Sequence, residues 1–156
     1  MMKPLSLFLL LFLLPAISEA ASITSSLQIS TQVMSVCTVA TVPLDFGPMA
    51  PGDTAMQTVS IVTKCTLNTP YQLMLDIGLH GSVGVRNMAD TGTNQIPYRL
   101  YKDTAHSAEW IDGPAGATNA VGSGLDQPHT VHGVATPSTL VPAGVYADTV
   151  TVTVLY

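Results

Sequence analysis

The sequence predicts an all-β sandwich, and three observations carry that prediction. The closing stretch, Tyr146 to Tyr156, alternates strictly between two faces; shorter alternating segments recur upstream between Gly- and Pro-rich turns; and no stretch of useful length shows the 3.6-residue period of an amphipathic helix. Successive side chains of a strand point to opposite faces, and β-branched residues suit its pleated surface. Tyr146, Val150, Val152, Val154 and Tyr156 therefore share one face, and Ala147, Thr149, Thr151, Thr153 and Leu155 the other.

In chain order, residues 1–20 read as a secretory signal peptide. Lys3 supplies the cation, Leu5 to Leu14 the short apolar run, and Ser18-Glu19-Ala20 the small-residue site, with cleavage expected after Ala20. The apolar run is too short to span a bilayer comfortably. Residues 21–32 form an uncharged leader in which Ile23, Leu27, Ile29 and the following Val33 share one parity, with Ser25 and Thr31 between them. That spacing predicts a strand seeking a sheet. The domain proper is expected over 33–156, its first strand starting near Val33 or Met34 and running through Cys37 and Val39.

Pro43, Gly47-Pro48 and Pro51-Gly52-Asp53 mark turns around Leu44-Asp45-Phe46. Val59, Ile61, Thr63 and Cys65 alternate in a second strand, and Tyr71, Leu73, Leu75 and Ile77 in a third beyond the Asn68-Thr69-Pro70 turn. Residues 78–95 read as loop, Ile96 to Lys102 as a short strand, 103–128 as unassigned, Thr130 to Ala135 as a weak strand, and Pro137 to Gly144 as a turn region. The 156 residues suffice for one domain.

Without the signal peptide the chain keeps four of its five basic residues and nine of its ten acidic ones, a net charge of 4 − 9 = −5. An acidic chain without a basic patch is a poor candidate for nucleic acid or an anionic membrane. The only two cysteines, Cys37 and Cys65, are far apart in sequence and predicted to be exported, which points to one disulfide stapling neighbouring strands. Neither has a second cysteine at redox-motif spacing.

Other constellations favour structure over chemistry. His129 and His132, three apart in a strand and close to Asp126, face opposite sides and do not converge on a metal. Asp45, Asp53, Asp76 and Asp90 lie at turns, where carboxylates cap backbone N–H groups. There is no Gly-x-Ser-x-Gly elbow and no phosphate-binding loop, so no enzyme activity and no small-molecule cofactor are expected. Tyr98, Tyr101 and Trp110 could make a sugar-binding platform but are read as core.

The terminal strand poses the functional question. Tyr146 to Tyr156 contains no Lys, Pro or other device that blunts an exposed edge, and no residue follows it here, so its expected partner is a strand from another polypeptide.

Several motifs in order resemble the spore coat protein U domain family, which includes pilins of the archaic chaperone–usher pathway. They are Cys37-Thr38-Val39, Leu44-Asp45-Phe46-Gly47, Cys65, Pro70-Tyr71-Gln72-Leu73, Arg86-Asn87-Met88, Tyr98-Arg99-Leu100-Tyr101-Lys102-Asp103, Trp110, Gly113, Val131-His132-Gly133 and Gly144 through Tyr156. His132 stands where the family often has Tyr, and Ile111 where Gly is common.

The resemblance implies an incomplete immunoglobulin-like sandwich lacking its last strand, completed by a donor strand. It further implies a periplasmic chaperone, an outer-membrane usher and neighbouring subunits as partners, export through the periplasm to a surface pilus, and a role in adhesion or biofilm formation. On that basis Ile23, Leu27, Ile29 and Val33 are the expected donor residues; Tyr146, Val150, Val152, Val154 and Tyr156 are expected to line one wall of the acceptor groove and Val39 the other. A coat or envelope protein of the same fold is the alternative, and a carbohydrate-binding tip module a third.

Overall fold

In the computed structural model, residues 19–82 and 84–156 are described; the predicted signal peptide falls on 1–20, so all but its last two residues lie outside them. Residues 19–32 carry no regular secondary structure, and Ile23, Leu27 and Ile29 are 98%, 84% and 87% exposed. Among the described residues no helix is long and apolar enough to cross a membrane.

Val33–Tyr156 forms a compact unit of eight strands. They are β1 (Cys37–Ala40), β2 (Ala55–Cys65), β3 (Pro70–Leu75), β4 (Arg86–Ala89), β5 (Gln95–Tyr101), β6 (Thr118–Val121), β7 (Gln127–Ala135) and β8 (Val152–Leu155), with one 3-10 turn at Pro114–Gly116. One sheet runs β1-β2-β7-β5-β4 and the other β6-β3-β8, and every paired ladder is antiparallel. The predicted all-β sandwich is what forms. Its core joins Ile61 and Cys65 of β2, Leu73 and Leu75 of β3, Tyr98 and Leu100 of β5 and Val131 of β7 to Trp110, so the two sheets pack face to face.

Several boundaries differ from the sequence reading. β1 begins at Cys37 rather than Val33, because the N–H and carbonyl of Val36 are already engaged by Thr66. β4 lies inside the predicted loop 78–95, and β6 inside the unassigned 103–128. β7, read as weak, pairs with β2 along its whole length and with β5 over its second half. Pro97 of β5 falls just outside the β5–β7 ladder and Pro128 of β7 four positions beyond its other end, where one flank is unpaired and a missing N–H is tolerated.

The predicted eleven-residue terminal strand is regular only over Val152–Leu155. The Asp76 carboxylate accepts the N–H groups of both Thr151 and Gly78, and Gly78 turns to φ 84, so the β3 side of the ladder breaks there. Pairing resumes loosely through the Asp76 N–H to the Thr151 carbonyl and the Leu79 N–H to the Thr149 carbonyl, before Ala147 bridges to Ala89 at the end of β4. The alternation itself is present: Tyr146, Asp148, Val150, Val152 and Val154 are half-buried, and the residues between them exposed.

Cys37 and Cys65 face each other in the β1–β2 register and form the predicted disulfide.

Candidate strand-acceptor groove

β1 and β4 are the edges of the larger sheet and β6 and β8 those of the smaller, and among the described residues β8 pairs with β3 on one flank only. Along the approach to β8, reaching the strand itself at Val152, runs a groove of about 830 Å³. Its floor is the interior face of the sandwich: Val59 and Ile61 from β2, Tyr98 and Leu100 from β5, Val131 from β7, Leu75 from β3 and Met88 from β4. One wall is the approach to β8, with Tyr146, Asp148, Val150 and Val152 turned inward by the two-residue period. The other is the segment after β1, Thr41 through Phe46, and Val141 to Gly144 closes one end.

The wall after β1 is held by close packing at Gly133. A Cβ there would meet Leu44 Cδ1 at 2.8 Å and Phe46 Cζ at 3.0 Å, so a larger residue would push these side chains outward from β7. Asp45 caps the Gly47 N–H at 2.8 Å, fixing the turn that aims Phe46 at Tyr98, with ring centroids 6.3 Å apart.

The opposite wall is anchored by Asp148. Its Oδ2 accepts the Tyr98 hydroxyl at 2.7 Å and its Oδ1 the His80 N–H at 3.2 Å. Burial, and then the bond to Asp148, push the Tyr98 phenol far above its ordinary range. Beneath, the buried Arg86 guanidinium donates to the carbonyls of Asp76, Leu75 and Trp110, tying the end of β3 to the loop after β5. Burial works to raise the Asp76 carboxyl, but the bonds from Thr151 and Gly78 and the Arg86 charge outweigh it and hold the carboxyl below its usual value.

Of the residues assigned to the groove from sequence, the fold gathers Tyr146, Val150 and Val152 along it. Val154 packs against the core just beyond. Tyr156 lies instead beside Pro70, Asn119 and Val121, at the β6 side of β3. Val39 is corrected: its place opposite buried Thr63 turns it to the interior face of β1, but at this sheet edge it is 42% exposed and outside the groove lining, where Val42, Leu44 and Phe46 take the place assigned to it. Val33 is exposed.

Sequence reasoning missed Asp148 and Tyr98 as a pair, which are fifty residues apart with no local signal. Trp110 and Tyr98 are buried, so the aromatic platform does not form on the surface. Among the described residues no three His, Cys, Asp or Glu side chains gather as a metal site.

The Spore Coat Protein U domain model matches residues 23–153, from the leader almost to the end of β8. The chain belongs to the Spore Coat Protein U domain family. Its relative Protein U of Myxococcus xanthus is 28% identical over 159 aligned residues, covering 89% of this chain and 88% of that protein. Among solved structures, this Spore Coat Protein U domain superposes with a TM-score of 0.58 and 23% identity on a chain of the CsuC-CsuE chaperone–tip adhesion subunit pre-assembly complex from the archaic chaperone–usher Csu pili of Acinetobacter baumannii. The match covers 80% of this chain and 40% of that one. The likeness extends the all-β fold to an architecture found in that chaperone–usher complex.

Proposed function

We propose that this chain is a structural, non-enzymatic subunit of a chaperone–usher pilus, joined to its neighbours by donor-strand exchange. A periplasmic chaperone holds the groove first; at an outer-membrane usher, residues 21–32 of the next subunit replace it. The assembled fibre stands on the cell surface and serves adhesion or biofilm formation.

The observation that carries this reading is an apolar groove beside the one-sided β8 edge, in a chain that also contains an uncharged segment of alternating exposed aliphatics. Strand addition to a sheet edge uses backbone hydrogen bonds for affinity and alternate side chains for specificity. Burying each of Ile23, Leu27, Ile29 and Val33 contributes about 1.5–3 kcal/mol. Because donor and acceptor surfaces differ, the contact is heterologous and repeats into an open filament.

Deletion of residues 21–31 tests it: the variant should still be captured by chaperone but no longer polymerise, whereas unchanged fibres would exclude this leader as the donor. Leu27→Asp or Ile29→Asp should weaken subunit joining in the same assay.

A second reading has support from Protein U, which this chain nearly matches in extent. In it the protein is a secreted coat or envelope component that does not pass through an usher. Purification without chaperone separates the two, since a soluble, stable monomer favours the coat reading and aggregation or self-association the pilus.

A further inference from the structure

We infer that the exterior face of the five-stranded sheet carries a two-histidine site for a divalent transition cation of the zinc, nickel and copper class, formed by His106 and His132. The two are 26 positions apart, so no local pattern joins them, and His129, three residues from His132, is expected on the opposite face of the strand. The fold separates that pair: His129 Nε2 lies 3.0 Å from both the Thr63 and the Tyr71 hydroxyls, inside the sandwich, while His132 emerges on the other face.

On that outer face three strands contribute one cross-strand row. Thr58 of β2 and Tyr101 of β5 both lie opposite His132 of β7. The loop after β5 then brings His106 back over the row, its ring centroid 4.9 Å from that of Tyr101 and 6.5 Å from that of His132. The loop is fixed in place. The Asp103 carboxylate accepts the Ser107 hydroxyl at 2.7 Å and the Ala108 N–H at 2.8 Å, and its carbonyl accepts the His106 N–H. His106 itself takes φ 55, a left-handed conformation uncommon outside glycine.

The chemistry of the pair suits a metal. His132 Nδ1 lies 3.1 Å from the Thr58 hydroxyl; the tautomer that donates Nδ1–H there leaves the Nε2 lone pair free, the outer-shell arrangement that orients metal-bound imidazoles. Imidazole nitrogen is the ligand these cations share. Metal–nitrogen bonds of about 2.0–2.1 Å place two rings roughly 5 Å apart between centroids in a tetrahedral site, so side-chain rotation of about 1–1.5 Å closes the pair, and water fills the remaining positions. This face lies on the opposite side of β7 from the groove-lining Val131, so the site is independent of how subunits join.

The test is titration of the full-length mature protein, kept in solution by an excess of a synthetic peptide of residues 21–33 if it self-associates alone, with NiCl2 and with ZnCl2, followed by calorimetry and by NMR of the four histidine rings. One equivalent should bind, shifting the signals of His106 and His132 and leaving those of His80 and His129 in place. His106→Ala and His132→Ala should each weaken binding at least tenfold with an unchanged far-UV CD spectrum, and His80→Ala should leave it unaltered. Thr58→Val, which removes only the positioning bond, should cost about tenfold. The absence of saturable binding, ring shifts at His80 or His129 instead, or affinity that survives both alanine variants would overturn the site. The wild-type ring shifts decide the matter even where a variant fails to fold.

Discussion

Three aspartates show what one residue can reveal from sequence. Asp45, Asp76 and Asp90 each stand two positions before a glycine, and each carboxylate accepts that glycine's N–H, at 2.8, 2.9 and 2.8 Å. The short D-x-G pattern carries its own mechanism, so these caps were legible. Asp148 was not, because its partners Tyr98 and His80 come from distant strands and loops. A Cβ at Gly78 would meet Asp148 Oδ2 at 2.0 Å, on a backbone already at φ 84. Gly78→Ala should therefore destabilise the domain by about 2–4 kcal/mol, from left-handed strain plus loss of the Tyr98 bond. In an Asp148→Ala background the same change should cost less, since only the backbone strain remains; urea denaturation of the four variants measures the coupling. Asp76 adds a pH dependence. Its folded pKa lies below the ordinary value of 3.8, so its contribution is full above about pH 4 and is lost as pH falls through the lowered folded value. Asp76→Asn should flatten the loss of stability as the pH falls below the ordinary carboxylate value, read from melting temperatures in acid buffers.

Strands were legible in proportion to how much of their signal was their own. β2, β3 and β5 alternate large apolar residues with polar ones and were found within a few positions. β6, Thr-Asn-Ala-Val, inserts little more than Ala120 into the interior and owes its place to the ladder with β3, so no window of sequence could expose it. β4 likewise depends on β5, and buries Arg86 and Asn87 where a strand pattern expects apolar residues. The terminal segment had its faces right and its regularity overestimated, because the interruption is written in Asp76 and Gly78 of another element. β1 is the most exposed case: four residues, one partner strand and the Cys37–Cys65 bond directly across it. The bond closes a 28-residue separation, worth about 3–4 kcal/mol on the chain-entropy account. A Cys37→Ala, Cys65→Ala double variant should lose about that much in urea denaturation, and adding dithiothreitol to the wild type should reproduce the loss. Because the wall of the groove follows directly from β1, the double variant should also bind donor peptide more weakly.

For the molecule as a whole, the groove is the consequence of eight strands covering two sheet faces unequally, and its interior floor stays apolar where no further strand of the described chain lies. That makes the occupant a thermodynamic partner in folding: whatever binds the groove and not the unfolded chain adds stability by mass action, about 2.7 kcal/mol at a hundredfold excess over its dissociation constant. For a domain of this size that corresponds to a rise in melting temperature of about 10 °C. A synthetic peptide of residues 21–33, added to a protein lacking that segment, should produce such a rise. The two-residue period sets a sharper condition, because a slip of one position sends every aliphatic to the opposite face. Deleting Gln28 from the peptide puts Ile23 and Leu27 out of phase with Ile29 and Val33 while keeping every aliphatic and the charge, and should remove more than half of the shift. Replacing Leu27 and Ile29 by Asp should remove nearly all of it, since each charge would be buried without a partner. Equal stabilisation by all three peptides would mean that the groove takes apolar chains without register, and no stabilisation by any would leave residues 21–33 without the role of donor.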